Sequence, residues 1–197
     1  MSNGDVDQGR RRLLLGATSV VGGIGVVGAA VPFVASWNPS AKAKAAGAPV
    51  KVNISKIELG QQVTVEWRGQ PVWIVRRTKE MLERLPKLND VVADPLSEKP
   101  QQPEYIKGVD RAIKPEYMIM VGICTHLGCS PKFRPEVAAA DLGPDWLGGF
   151  FCPCHGSKFD LSGRVYKGVP APTNLVVPPY YYIDDETVMI GVNQEGA

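Results

Sequence analysis

Histidine and cysteine are scarce in this chain, with two of the first and four of the second among 197 residues. Two histidines exclude a three-histidine metal site and leave few side chains that titrate near neutral pH. Neither charge sign is in excess, since 22 Lys and Arg stand against 20 Asp and Glu for a net charge of +2. That balance gives no general attraction to nucleic acid. Charged residues, at 21%, are too many for a chain lying wholly in a membrane, and a 44% hydrophobic share is too high for a disordered one. No internal repeat is evident. The length suits one domain with an appendage.

Charge is missing altogether from Leu13 to Ser36, a run of 24 residues. As a helix this run would be about 36 Å long, enough to cross a hydrocarbon core of about 30 Å. Pro32 lies near its far end, where a kink is tolerated, and Trp37 follows at the expected interface. The polar residues before the run end in Arg10, Arg11 and Arg12, which places that short side in the cytoplasm. The pattern therefore predicts a cytoplasmic segment over 1–12, a single-pass transmembrane helix over 13–37 in a lipid bilayer, and the remainder outside the cytoplasm. A cleaved secretory signal has a shorter apolar core, about 7–15 residues, although small-residue sites such as Ala41-Lys42-Ala43 leave cleavage open. The stretch Gly9-Arg10-Arg11-Arg12-Leu13-Leu14 resembles a twin-arginine export motif. Leu13 stands where that pattern often has Phe, and Gly9 where it often has Ser or Thr. Gly16, Gly22, Gly23, Gly25 and Gly28 fit the milder hydrophobicity of such signals. The resemblance implies export of an already folded protein, a route that matters most when a cofactor is inserted in the cytoplasm.

Residues 38–49, with Ala41-Lys42-Ala43-Lys44-Ala45-Ala46-Gly47-Ala48-Pro49, carry almost no large apolar side chain and read as a linker. The alanines allow a short helix equally well, and switching between coil and helix would change the linker's reach. The remaining 148 residues, 50–197, suffice for one core. Alternation over Gln62–Trp67, a turn at Arg68-Gly69-Gln70 and the apolar run Pro71–Val75 predict a hairpin. Thr78 caps a short helix reaching Leu85. Asn89–Pro103 is a polar, Pro-containing loop. Tyr117–Ile123 reads as a strand, and Tyr180–Ile183 with Thr187–Val192 as a closing hairpin. The expected fold is mainly β: one N-terminal transmembrane helix plus an antiparallel β-sandwich head.

All six scarce residues fall in two short segments, Cys124-Thr125-His126-Leu127-Gly128-Cys129 and Cys152-Pro153-Cys154-His155-Gly156-Ser157. Each segment offers one thiolate and one imidazole, with one cysteine to spare. Two thiolates and two neutral imidazoles form a four-coordinate set suited to Zn²⁺ or to a mixed-ligand 2Fe–2S cluster. Three features favour the cluster. The spare cysteines, one per segment, can pair as Cys129–Cys154. The anchor places them where a disulfide persists. Gly128 and Gly156 let backbone amides come close to sulfur.

The two segments together resemble the Rieske iron–sulfur proteins of respiratory quinol–cytochrome c reductases, the cytochrome bc complexes. The likeness extends over nearly the whole chain, from the twin-arginine anchor through the Ala-rich linker to the β head, with an inserted cluster-binding subdomain at about 122–178. It implies one Rieske-type 2Fe–2S cluster with Cys124 and Cys152 on one iron and His126 and His155 on the other. It also implies a Cys129–Cys154 disulfide. Replacing two thiolates by neutral imidazoles lowers the negative charge of the cluster and raises its potential. Ser157 looks like the serine that donates to a bridging sulfide. Phe159 departs from the pattern, because high-potential members carry Tyr there to donate to a cysteine sulfur; a lower potential is expected. Leu127 resembles the leucine that shields the cluster at the quinol pocket, with a plain loop-core leucine as the alternative. Gly168-Val169-Pro170-Ala171-Pro172 resembles the proline loop covering the cluster, where Pro170 lacks an amide donor.

As function, the resemblance implies an electron-transfer subunit in a bacterial inner membrane, with its head in the periplasm. Ubiquinol in a pocket of the cytochrome b subunit would hydrogen-bond to His155, which takes the proton. The linker would let the head swing to the c-type cytochrome subunit, within a dimeric, proton-translocating complex. The missing Tyr leaves menaquinol open as the substrate. Other readings are the Rieske small subunit of an exported arsenite-oxidase-type enzyme, an oxygenase ferredoxin and a structural zinc module. The spare cysteines argue against the ferredoxin. No role is evident for 134–147.

Overall fold

The computed structural model describes residues 7–194. The first half of the expected cytoplasmic segment, and the last three residues of the expected head, lie outside the described residues. The chain divides into two compact units, Met1–Ala45 and Ala46–Ala197.

The first unit is dominated by helix α1, Gln8–Ala35. It begins five residues before the charge-free run, so Arg10, Arg11 and Arg12 stand on its first turns rather than in a preceding tail. The cause is local: the Asp7 carboxylate accepts from the Gly9 and Arg10 amides at 2.9 and 3.1 Å, satisfying donors that a helix start leaves free. At 28 residues the helix is about 42 Å long. None of it is buried within the chain. Thr18 donates to the Leu14 carbonyl at 2.8 Å, and Ser36, just past the helix end, to the Phe33 carbonyl at 2.6 Å, and the side chains are otherwise largely apolar beyond Arg12, an exterior that a bilayer accommodates. Pro32 is tolerated within the last turn, and Trp37 follows beyond the helix end. A short helix α2, Ala41–Ala46, forms in the linker.

Among the described residues, the second unit holds nine short strands in three antiparallel sheets. One holds β1 (Val50–Asn53), β9 (Thr187–Ile190) and β8 (Tyr180–Tyr182) in that order. Another holds β2 (Gln62–Trp67), β3 (Gln70–Arg76) and β4 (Tyr117–Val121). The hairpin β2–β3 pairs Trp67 with Gln70 across Arg68-Gly69, both at positive φ, the backbone that a two-residue turn between twisted strands requires. The third sheet, β5 (Lys132–Arg134), β6 (Gly149–Cys152) and β7 (Ser157–Asp160), lies between β4 and β8 in sequence and forms the inserted subdomain. Helix α3, Lys79–Arg84, is capped by Thr78, whose hydroxyl accepts from the Met81 amide, and runs into a 3-10 turn at Leu85–Leu88.

All three sheets share one core. Ile54, Val188 and Ile190, Val72, Ile74 and Ile119, and Phe150 and Phe159 belong to a single buried cluster. Each such side chain fully withdrawn from water contributes about 1.5–3 kcal/mol. The joint nearest the scarce residues is Trp73, which stacks on Phe150 with ring centroids 5.0 Å apart. Gly122 abuts the Trp73 indole so closely that any side chain there would collide with it. This contact fixes the start of the segment that carries Cys124.

Candidate metal centre

Two loops at one end of the third sheet carry the six scarce residues, 124–129 between β4 and β5, and 152–157 at the β6–β7 turn. Both are shaped alike. The Gly128 amide donates to the Cys124 carbonyl, and the Gly156 amide donates to the Cys152 carbonyl, each at 3.0 Å. Both glycines have positive φ, +85° and +77°, which side chains rarely tolerate. The same turn therefore places a cysteine at its first position and a glycine four residues later, twice.

Cys129 and Cys154 are joined as a disulfide with their Cα atoms 6.8 Å apart, tying the two loops together. Cys124 and Cys152 remain free thiols, each only 2% exposed. The sulfurs of Cys129, Cys152 and Cys154 lie within 4.8 Å of one another, but two of these are spent in the disulfide, so Cys152 alone of the three can give a thiolate. The His126 and His155 rings stand edge to face at 4.7 Å between centroids. His155 is exposed and His126 half-buried. His126 Nδ1 is buried without a hydrogen-bond partner among the described residues. Two buried thiols and two imidazoles, one with a stranded nitrogen, are a donor set that fits a 2Fe–2S cluster with mixed sulfur and nitrogen ligation.

Ser157 is completely buried, and its Oγ accepts from the Ala171 amide at 3.1 Å. Thr125 Oγ1 donates to the Thr173 carbonyl at 2.7 Å. These two bonds, one from each loop, clasp the segment 168–173, where Pro170 is exposed and Ala171 buried. Leu127 is 71% exposed at the loop tip, so the loop-core alternative for it is wrong. Phe159 is fully buried opposite Phe150 and offers only an apolar ring.

Sequence reasoning missed what holds the site from behind. Arg77, Arg111 and Arg164 are fully buried. Arg164 pairs with the buried Asp160 at 2.7 Å and donates to the Leu85 carbonyl at 2.6 Å and Asn89 Oδ1 at 2.7 Å. Arg77 reaches Ser162 Oγ at 2.6 Å, and Arg111 the Ser162 carbonyl at 2.8 Å. Desolvation lowers the Arg77 and Arg111 guanidiniums to about 10, still charged at neutral pH. Together they pin the turn 160–164, which leads from β7 into the clasped segment. The signal available in the sequence was Asp160 and Arg164 flanking Gly163 four residues apart, but nothing there marks them as buried.

The family described as Rieske [2Fe-2S] domain matches residues 49–180, and that described as Ubiquitinol-cytochrome C reductase Fe-S subunit TAT signal matches residues 1–40. The chain is 58% identical over 197 residues to the ubiquinol-cytochrome c reductase iron-sulfur subunit of Allochromatium vinosum, covering 100% of this chain and 95% of that one. It is 42% identical over 195 residues to the subunit of the same name from Blastochloris viridis, covering 97% and 98%. A solved structure titled Hyperthermophilic respiratory Complex III is similar at 26% identity and a TM-score of 0.48, over 90% of this chain and 98% of that one.

Proposed function

This chain belongs to the Rieske iron–sulfur subunits of ubiquinol–cytochrome c reductase, and from that premise we propose that Cys124, Cys152, His126 and His155 hold its 2Fe–2S cluster while His155 meets the quinol. Membership makes it part of an oxidoreductase complex of the cytochrome bc type, whose cytochrome b and c-type subunits are its partners. A bound Rieske cluster supplies a one-electron couple at a potential raised by its two neutral imidazole ligands. The chain's own residues supply the rest. Cys124 and Cys152, withdrawn from water, give the thiolates. His155, exposed at the tip, presents an imidazole to the hydroxyl of ubiquinol seated in cytochrome b and takes up its proton. Leu127, exposed next to His126 on the other loop, offers an apolar contact to the same partner. Ser157 donates toward the sulfur side, and the clasped proline loop with Pro170 closes the far side without an amide donor of its own. The single observation carrying this reading is that two loops joined by a disulfide carry two buried free thiols and two imidazoles in edge-to-face contact.

The linker 38–49 is read as the hinge between an inner-membrane anchor and a periplasmic head. Six residues of α2 span about 9 Å as helix and about 20 Å when extended, so unwinding it adds about 11 Å of reach. That change would let one head serve quinol in cytochrome b and then the c-type cytochrome in a dimeric, proton-translocating complex. The test is quinol-dependent cytochrome c reduction by complexes carrying variant subunits. His155→Ala should abolish it along with the cluster. A pair of prolines placed within Ala41–Ala48 should slow it while sparing the electron paramagnetic resonance spectrum of the cluster. Undiminished turnover in the proline variant would exclude a moving head, and full activity in His155→Ala would exclude the ligand assignment.

A further inference from the structure

The disulfide that joins the two loops has a third sulfur beside it. Cys152 Sγ lies within 4.8 Å of both Cys129 Sγ and Cys154 Sγ. Cys129 and Cys154 share the bond, while Cys152 is a thiol. A thiol this close to a disulfide is a nucleophile in place, because exchange proceeds by attack of one sulfur on another. It needs no outside oxidant or reductant. No reagent has to reach Cys152, which is only 2% exposed, since its target belongs to the same chain.

Of the two disulfide sulfurs, Cys129 is the favoured target. Attack there expels Cys154, an exposed residue, so the departing thiolate is taken up by water, and a better-stabilised thiolate leaves faster. Attack on Cys154 instead closes a small ring over Cys152-Pro153-Cys154 and unties the two loops. A Cys129–Cys152 bond keeps them tied. It spans nearly the same 25-residue separation as the original bond, so the entropy of loop closure hardly changes.

We infer, resting on the ligand assignment proposed above, that a head whose disulfide closes before its cluster is in place moves that bond from Cys129–Cys154 to Cys129–Cys152. The Cys152 S–H bond and the Cys129–Cys154 bond break, the Cys129–Cys152 bond forms, and the proton passes through water to Cys154. One disulfide and two thiols are present before and after, so no electron is gained or lost. The product has lost one of its four cluster ligands to the disulfide, and the thiol it offers in exchange stands at the exposed tip. In the loaded subunit Cys152 is held by iron and does not attack. The order of maturation follows: the cluster enters first, and the disulfide closes after it.

The experiment uses the full-length, cluster-loaded protein in detergent, free of added thiol. One portion is denatured directly in N-ethylmaleimide at mildly acidic pH, where exchange is slow. A second is first held folded with an iron chelator until the cluster's visible absorption is gone, and is then treated alike. Mass spectrometry locates the labels, with fragmentation at Pro153 separating Cys152 from Cys154. Directly denatured protein should carry label on Cys124 and Cys152. Chelated protein should carry it on Cys124 and Cys154. Label remaining on Cys152 after chelation overturns the inference and leaves the ligand assignment standing. A statistical mixture of pairings also overturns it, because exchange in an unfolded chain has no preferred target. A third portion, held for the same time without chelator, should keep the first pattern. Migration of the label there would overturn the assignment of Cys152 as a ligand, and the inference with it.

Discussion

Ser157→Ala removes one oxygen atom and separates two roles that the oxygen plays at once. In the structure Ser157 Oγ accepts from the Ala171 amide at 3.1 Å, with both residues buried. Deleting it strands that amide in apolar surroundings, which costs about 1–3 kcal/mol and loosens the proline loop. For a domain of this size each kcal/mol lowers Tm by about 2–4 °C. The hydroxyl proton is not used in this contact, where the oxygen is the acceptor, so it is available to a cluster sulfur. A hydrogen bond to a charged acceptor is worth about 1.5–3 kcal/mol. With about half of that realised only in the more negative reduced state, roughly 1 kcal/mol of preference is lost, and at about 59 mV per tenfold for one electron the potential falls by about 40–60 mV. Protein-film voltammetry and thermal unfolding on the same preparation read the two effects independently. A lower Tm at unchanged potential would leave Ser157 as a clasp alone and refute its role as donor. A lower potential at unchanged Tm would refute the clasp.

Phe159→Tyr should raise the potential measured by voltammetry if the added hydroxyl donates to a cysteine sulfur and so stabilises the more negative reduced state. Because Phe159 is wholly buried, a hydroxyl that misses the sulfur would instead cost about 1–3 kcal/mol in denaturant unfolding with no change in potential, and that result would sink the idea. Arg164→Met strands the buried Asp160 carboxylate and should destabilise the head by about 3–5 kcal/mol, with much of the loss recovered by adding Asp160→Asn; an equally unstable double variant would show that the pair is not the cause. Arg134 hydrogen-bonds Asp141 and lowers its carboxyl to about 2 from a usual 3.8. Its contribution to stability is therefore complete above about pH 4 and lost as pH falls through about 2. Asp141→Asn should flatten the dependence of Tm on pH across that window, and a profile unchanged from the parent would show that the clamp does not set it.

The hairpin of β2 and β3 was legible because Gln62–Trp67 alternates cleanly and Arg68-Gly69 marks its turn. Thr78 was legible as a cap because its hydroxyl precedes a short polar-apolar run. The strands of the inserted sheet were not, for they are three or four residues long and include Gly149, Cys152 and Lys158, none of which signals a strand. Helix α1 began earlier than the loss of charge suggested, because the Asp7 cap and not hydrophobicity decides where it starts. The two loops were readable in the sequence, and so was the Cys129–Cys154 bridge that joins them. With only two histidines and four cysteines, and all six in two segments, few other groupings were available. What lay behind it was hidden. Arg77, Arg111 and Arg164 look like surface residues in any composition, and only the fold shows them reaching loop carbonyls from within. The loop 134–147 carried no period, so its role as a cover over Phe151 and Tyr166 emerged only from packing.

The central claim is that two histidines and two cysteines of this chain ligate its cluster. Pulsed electron paramagnetic resonance of the reduced protein, grown with ¹⁵N-labelled histidine, tests it most directly. The account predicts a Rieske-type signal coupled to two histidine nitrogens, with the signal lost in His126→Ala and in His155→Ala. A cluster signal without histidine coupling, or a metal content of zinc with no signal at all, would contradict it.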